Sequence, residues 1–261
     1  MSSRRAEPGP TPAPAPRLIG VGVDGTPAGR DAVVLASVLA RATGAEMMLI
    51  AVYEKPLLEG VVPAELGWTT VRRQARTMLA RTRDSLAPGS RTVLQVNGLG
   101  WRGLLDVARR EHRDLLVVGS TRRAEYGHAT LGDAAAELLS HSTCPLAIAP
   151  RGMEDDPGAR LERIGVAFDA TPESEAAVAL ARSLALAAGA DLRVRRVIDT
   201  TPRGATEALR DLCAEASLLV LGADPSPAPA RAPLSHATRQ LLNDAPTPIL
   251  IVPRSAHAPA L

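Results

Sequence analysis

Residues Arg113 to Pro150 read RDLLVVGSTRRAEYGHATLGDAAAELLSHSTCPLAIAP. The run Leu115 to Val118 is apolar without alternation and stops at Gly119, which suits a short strand covered on both faces. Gly132-Asp133 opens a helical pattern that continues through Ala136, Leu138 and Leu139, with Asp133 expected as the N-cap. Pro145 closes the helix, and Leu146 to Ala149 reads as a second buried strand. A glycine turn leading from the C-terminal end of a strand into a helix N-terminus is where α/β proteins bind phosphate, because backbone N–H groups and the helix dipole both favour an anion there. The competing reading is a plain connection, since Gly-led turns of this kind are common and most bind nothing.

Composition bounds what surrounds this unit. A chain of 261 residues suits one large or two small domains, and 46% apolar residues are enough for real cores. No apolar run approaches the roughly 18–20 residues needed to cross a bilayer. The formal charge of +2 is near balance, so no membrane partner and no nucleic acid is expected. Aromatics at 2% remove most stacking platforms for single strands. Cys144 and Cys213 do not make a disulfide framework, and a cytoplasmic location is expected. His141 and Cys144 lie three apart without a second ligand pair, so no metal site is expected. HExxH, GxxxxGK[ST] and GxSxG are absent, and Lys55 is the sole lysine. No catalytic residue is predicted, and the protein is expected not to be an enzyme.

Outward from the central unit, residues 1–16 carry proline at positions 8, 10, 12, 14 and 16 and read as a disordered tail. No apolar segment follows Arg4 and Arg5, so a signal peptide is not expected. Leu18 to Val23 is an apolar strand ending in Asp24-Gly25. Thr26 then caps a helix that has Pro27 in its first turn and ends at Gly44. Met47 to Tyr53 is a strand, residues 54–68 a loop, and Val71 to Leu86 a basic amphipathic helix whose arginines are read as a solvated face. Thr92 to Val96 and Trp101 to His112 complete a β-α-β-α-β-α-β-α-β order, the pattern of a parallel sheet with helices on both faces.

The second half repeats the first. Ile164-Gly-Val-Ala-Phe-Asp-Ala-Thr-Pro172 echoes Ile19-Gly-Val-Gly-Val-Asp-Gly-Thr-Pro27, and Ser217-Leu-Leu-Val-Leu-Gly222 echoes Asp114-Leu-Leu-Val-Val-Gly119. The repeat is shorter, and the missing piece corresponds to the second helix and third strand. Expected boundaries are a tail at 1–16, a first domain at 17–150, a linker at 151–160, a shortened second domain at 161–254 and a tail at 255–261.

The spacing Gly119, Gly132 resembles the ATP-binding signature of the universal stress protein family: Gly, two residues, Gly, nine residues, Gly, then Ser or Thr. Arg122 stands where the second Gly belongs and Asp133 where Ser or Thr belongs. The Cys144-Pro145 step before an apolar strand also resembles the family's ending. The resemblance implies two flavodoxin-like, Rossmann-like doubly wound parallel sheets in tandem. The first would have five strands in the order 3-2-1-4-5, and the second about four. Losing edge strand 3 leaves Asp191 to Val197, with three arginines, as the new edge. That order places a ligand between strands 1 and 4. On the resemblance, Asp24, Val52, Gly119, Ser120, Arg122, Gly132 and Asp133 line an adenine-nucleotide pocket for ATP, with Mg accompanying it. Asp24 has an equally good reading as a turn and capping residue. Asp133 is expected to occupy the phosphate site itself, with Arg122 as a pairing partner on the same loop, which predicts weak or absent ATP binding. In the second half Pro225, Ser235 and His236 replace the signature residues, and no ATP site is expected. The expected function is a regulatory stress-response protein that forms a homodimer through the fifth strands, although those strands could equally pair within one chain. The alternatives are a ligand-free interaction scaffold and a weak ATP hydrolase or adenylating enzyme.

Overall fold

Apolar runs and amphipathic stretches alternate along the chain, and each adopts the element its pattern calls for. The structure is a computed structural model that describes residues 14–53, 64–121, 124–197, 201–223, 234–242 and 245–253, with backbone alone at 64–68, 202 and 236. The tails, the Pro-rich loop 224–233 and Arg122 with Arg123 therefore lie outside the described residues. The first half runs β1 (Leu18–Gly22), α1 (Pro27–Thr43), β2 (Glu46–Tyr53), α2 (Ala64–Leu86), β3 (Arg91–Val96), α3 (Gly100–Arg110), β4 (Leu115–Gly119), α4 (Asp133–His141) and β5 (Leu146–Ala149). After a 3₁₀ turn at Met153–Asp155, the second half runs β6 (Arg163–Phe168), α5 (Pro172–Ala188), β7 (Asp191–Arg196), α6 (Pro202–Glu215), β8 (Leu218–Gly222), α7 (His236–Leu241) and β9 (Ile249–Val252).

The first half has the expected strand order, and the second is the expected four-stranded version with β7 at its edge. The two sheets are not separate. They join into one nine-stranded sheet, β3-β2-β1-β4-β5-β9-β8-β6-β7, through antiparallel pairing of β5 with β9. Leu146 faces Ile251, Ala147 faces Leu250 and Ile148 faces Ile249. β5 also pairs with β4, and β9 with β8, so neither strand keeps a free edge. Of the two pairings the sequence left open for the fifth strands, the structure forms the one within the chain.

Both cores run through this joint. On one face α1 and α5 cover Val21, Leu49, Val117, Ala147, Val166 and Leu250. Leu79 of α2 joins that same layer. On the other face α3, α4, α6 and α7 cover Met48, Leu116, Ile148, Leu219, Ile249 and Ile251. The alternation of β5, with Leu146 and Ile148 on one face and Ala147 and Ala149 on the other, feeds both layers.

Three helix boundaries differ from expectation. α2 starts at Ala64, where a loop was expected, because its first turns carry helix-compatible residues and tolerate Gly67. α3 stops at Arg110, two residues early, and His112 then adopts φ 50, which no helix can hold. In α4 the N-cap is Gly132, and Asp133 is the first helical residue.

The link between halves is anchored on α1. Asp31 is fully buried, and its carboxylate accepts from the Gly152 N–H at 3.0 Å and the Glu154 N–H at 2.8 Å. Arg30 pairs with Glu154, and Arg41 donates to the carbonyls of Pro157 and Ala159. Tyr126 adds a hydrogen bond to Asp155 from the β4–α4 loop.

Candidate crevice at the carboxyl ends of strands 1 and 4

β1 lies between β2 and β4, with Gly22 opposite Ile50 and Val21 opposite Val117. Continuing these registers brings Val52, Asp24 and Ser120 to one level across the carboxyl ends of three adjacent strands. Gly119 stands one residue before Ser120. Gly132 adjoins them, because a Cβ there would lie 3.3 Å from Thr121. The structure thus gathers Asp24, Val52, Gly119, Ser120 and Gly132 at the point where the strand order reverses. Asp133 sits exposed in the first turn of α4, where its charge complements the helix dipole.

Oδ1 of Asp24 accepts from the Thr26 N–H at 3.0 Å and the Thr26 hydroxyl at 2.6 Å. The Thr26 hydroxyl in turn accepts from the Gly29 N–H at 3.3 Å, capping α1. Oδ1 of Asp24 therefore braces the turn and the Thr26 cap, in keeping with its Asp-Gly-Thr-Pro context. The second half repeats the device. Asp169 accepts from the Thr171 N–H at 3.1 Å and its hydroxyl at 2.6 Å, and Thr171 caps α5. Burial pushes the Asp169 carboxyl up, but hydrogen bonds from the Thr171 and Ser174 side chains and from backbone N–H groups outweigh it and hold the group below its ordinary value.

Gly119 answers a steric demand. A Cβ there would fall 2.0 Å from the Ala28 carbonyl oxygen, so the first turn of α1 packs directly on the end of β4. Gly222 does the same for α5, with the Glu173 carbonyl carbon 2.7 Å away. Val52 packs on α3, where a Cβ at Gly103 would meet its methyl at 2.5 Å.

Several of the described backbone donors of the β4–α4 loop serve protein acceptors. Ser120 is buried. Its N–H donates to the Ala149 carbonyl at 3.1 Å, and its hydroxyl donates to the same oxygen at 2.7 Å and accepts from the Thr130 N–H at 3.0 Å. The Thr121 N–H goes to the Thr130 carbonyl at 3.2 Å, and the Gly127 N–H to the Arg151 carbonyl at 2.7 Å. Two further donors cross into the second half: the Ala129 N–H reaches the Ala245 carbonyl at 2.7 Å, and the Leu131 N–H reaches the Leu242 carbonyl at 3.2 Å. Ala245 returns a longer bond to Ala129, closing a small antiparallel bridge. Sequence reasoning missed Ala129, Leu131, Leu242 and Ala245, because a backbone bridge leaves no side-chain signature. It also missed Asp31, whose signal was available: a carboxylate within the apolar run of α1.

Among the described residues, no group of three or more His, Cys, Asp or Glu side chains could hold a metal ion. Cys144 and Cys213 are free thiols; burial pushes both up, Cys213 to about 11, so neither is a reactive thiolate. Among the described residues, no helix is long and apolar enough to cross a membrane.

Comparison with known proteins adds three findings. The sequence profile of the universal stress protein family matches residues 16–150. A universal stress protein from Archaeoglobus fulgidus DSM 4304 superposes with a TM-score of 0.69 at 12% identity, covering 91% of this chain and 98% of that one. A putative universal stress protein from Pseudomonas aeruginosa UCBPP-PA14 gives 0.63 at 14% identity, covering 92% and 94%. A protein of unknown function from Pseudomonas aeruginosa PAO1 gives 0.62 at 15% identity, with the same coverage. At such identities the likeness shows a shared fold across both halves. Among curated proteins, no sequence matches the chain.

Proposed function

The chain belongs to the universal stress protein family, and from that premise we propose that it is a regulatory, non-catalytic stress-response protein whose adenine-nucleotide site in the first half is degenerate. The observation that carries this reading is the use of the loop's donors. A phosphate cradle needs outward-facing N–H groups. Here the N–H groups of Ser120, Thr121, Ala129 and Leu131 serve Ala149, Thr130, Ala245 and Leu242 instead. The first turn of α4 carries Asp133, whose carboxylate repels an incoming phosphate. The loop functions as a clasp between the halves, and ATP, with its Mg, binds weakly or not at all. In the second half, where Pro225, Ser235 and His236 stand at the signature positions, the same reading assigns no nucleotide site. A cytoplasmic setting agrees with two free cysteines.

Calorimetry with Mg·ATP on four proteins tests this: the parent, Asp133→Ser, Arg122→Gly, and the double variant. The parent should show no saturable binding below millimolar ATP, Asp133→Ser should recover part of it, and the double variant should bind at least about tenfold tighter. Tight binding by the parent that is lost on Arg122→Gly would instead give the arginine a phosphate-holding role and overturn the reading.

A further inference from the structure

A second concavity lies on the α1–α2 side of the sheet, lined in part by Tyr53, the residue after Val52. α2 packs chiefly over β2 and, among the described residues, β3, the edge strand, is left partly uncovered. The gap between α2 and β3 is an open cavity of about 760 Å³, within the range of small-molecule sites. Its floor is apolar: Leu79 is buried, Leu94 half-buried, and Val96 is 41% exposed. Thr92, Leu94 and Val96 share one face of β3 by the two-residue alternation.

Above this floor stand Arg72 and Arg76. They are one helical turn apart, so their like charges repel on an isolated helix. Among the described residues, no carboxylate pairs with either. Asp84 is the one acidic side chain described on α2, and it pairs with Arg83. Neither Arg72 nor Arg76 has an ion pair among the described residues. The arginine face that the sequence suggested was merely solvated therefore turns two of its members toward an apolar groove.

We propose that this groove binds a small amphipathic carboxylate, its head held by Arg72 and Arg76 and its aliphatic body laid on Leu79, Leu94 and Val96. Guanidinium forks match a carboxylate bidentately. An anion between the two arginines also removes their mutual repulsion. The aliphatic body withdraws Val96 from water. The plain alternative is that the arginine stems simply shield the apolar floor while their heads stay in water.

The probe is decanoate, kept below its micelle-forming concentration and titrated into the full chain. Binding is read by calorimetry and by amide NMR shifts. Saturable binding at one site is expected, with shifts confined to residues 69–80 and 92–96. The double variant Arg72→Gln with Arg76→Gln should weaken binding by about tenfold or more, and decanol and inorganic phosphate, each offering half of the chemistry, should bind at least about tenfold more weakly than decanoate. The shift map of the parent needs no variant and guards against a folding defect. Four results would overturn the proposal: no decanoate binding, equal binding by the double variant, shifts at Asp24 and Ser120 instead, or capture of the chain by phosphatidylglycerol vesicles without monomer binding. ATP binding in the crevice is measured separately and does not bear on this outcome.

Discussion

At the residue scale, the two halves answer the same backbone demand with different residues. The turn after β1 places Gly25 at φ 80, and the matching turn after β6 places Ala170 at φ 65. An L-residue in this left-handed region pays about 1–2 kcal/mol because Cβ crowds the following carbonyl. Glycine removes that strain, at some cost in unfolded-state entropy. Ala170→Gly should therefore stabilise the chain by about 0.5–1 kcal/mol net, seen as a higher urea midpoint at unchanged slope. An unchanged or lower midpoint would mean that the turn is not strained. At this scale too, Gly119 has a sufficient explanation in the contact with Ala28, and the family spacing that made it a candidate phosphate ligand records the packing as much as any ligand.

At the element scale, the connection between halves depends on one buried carboxylate. Asp31 holds the N–H groups of Gly152 and Glu154, and Arg30 and Arg41 hold the same segment by Glu154 and by two carbonyls. Asp31→Ala leaves two backbone donors without their acceptor and should cost about 1–3 kcal/mol, with faster proteolysis within 151–160. Burial pushes the Asp31 carboxyl above its ordinary value of 3.8, against the lowering effect of the two N–H donors, and the nearby Glu154 and Asp155 charges add to the rise. A raised native value means that the native state binds the proton more tightly. This contribution is complete below the ordinary carboxylate value and is lost as pH rises through the raised one. Measured against Asp31→Asn across that window, the parent's relative stability should fall as pH rises. A rising difference would contradict the direction of the shift.

At the scale of the whole molecule, β5 and β9 make the chain a dimer of its own two halves. Four-residue strands with Ile, Leu and Ala inward on both faces would be hazardous as exposed edges, and mutual pairing removes the hazard. The outer edges that remain are β3 and β7, and β7 carries Arg193, Arg195 and Arg196, which discourage edge-to-edge association. A fragment ending at Pro150 would uncover β5 and its apolar faces. It should associate into a homodimer through β5, whereas the full chain should show no association through that strand. Light scattering on both decides the matter, and a fragment that stays monomeric over a wide concentration range would show that the joint contributes little.

Much of this was legible in the order of residues. The repeat of Ile19 to Pro27 in Ile164 to Pro172, the buried runs ending in Gly119 and Gly222, and the missing strand of the second half follow from patterns that a single segment carries: which faces are buried, where a helix can start, where the chain must turn. The convergence of Asp24, Val52, Gly119 and Ser120 follows once the strand order is granted. What tertiary structure alone decided is of another kind. Whether β5 pairs with β9 of the same chain, and whether the N–H groups of Ala129 and Leu131 face a ligand or the carbonyls of Ala245 and Leu242, are questions about backbone groups. These groups are alike at every residue except proline, so nothing in the side chains reports which partner satisfies them. The uncovered strip of β3 beneath Arg72 and Arg76 was likewise invisible, because a helix's own periodicity states which side is buried and not how far the neighbouring strand extends beyond it.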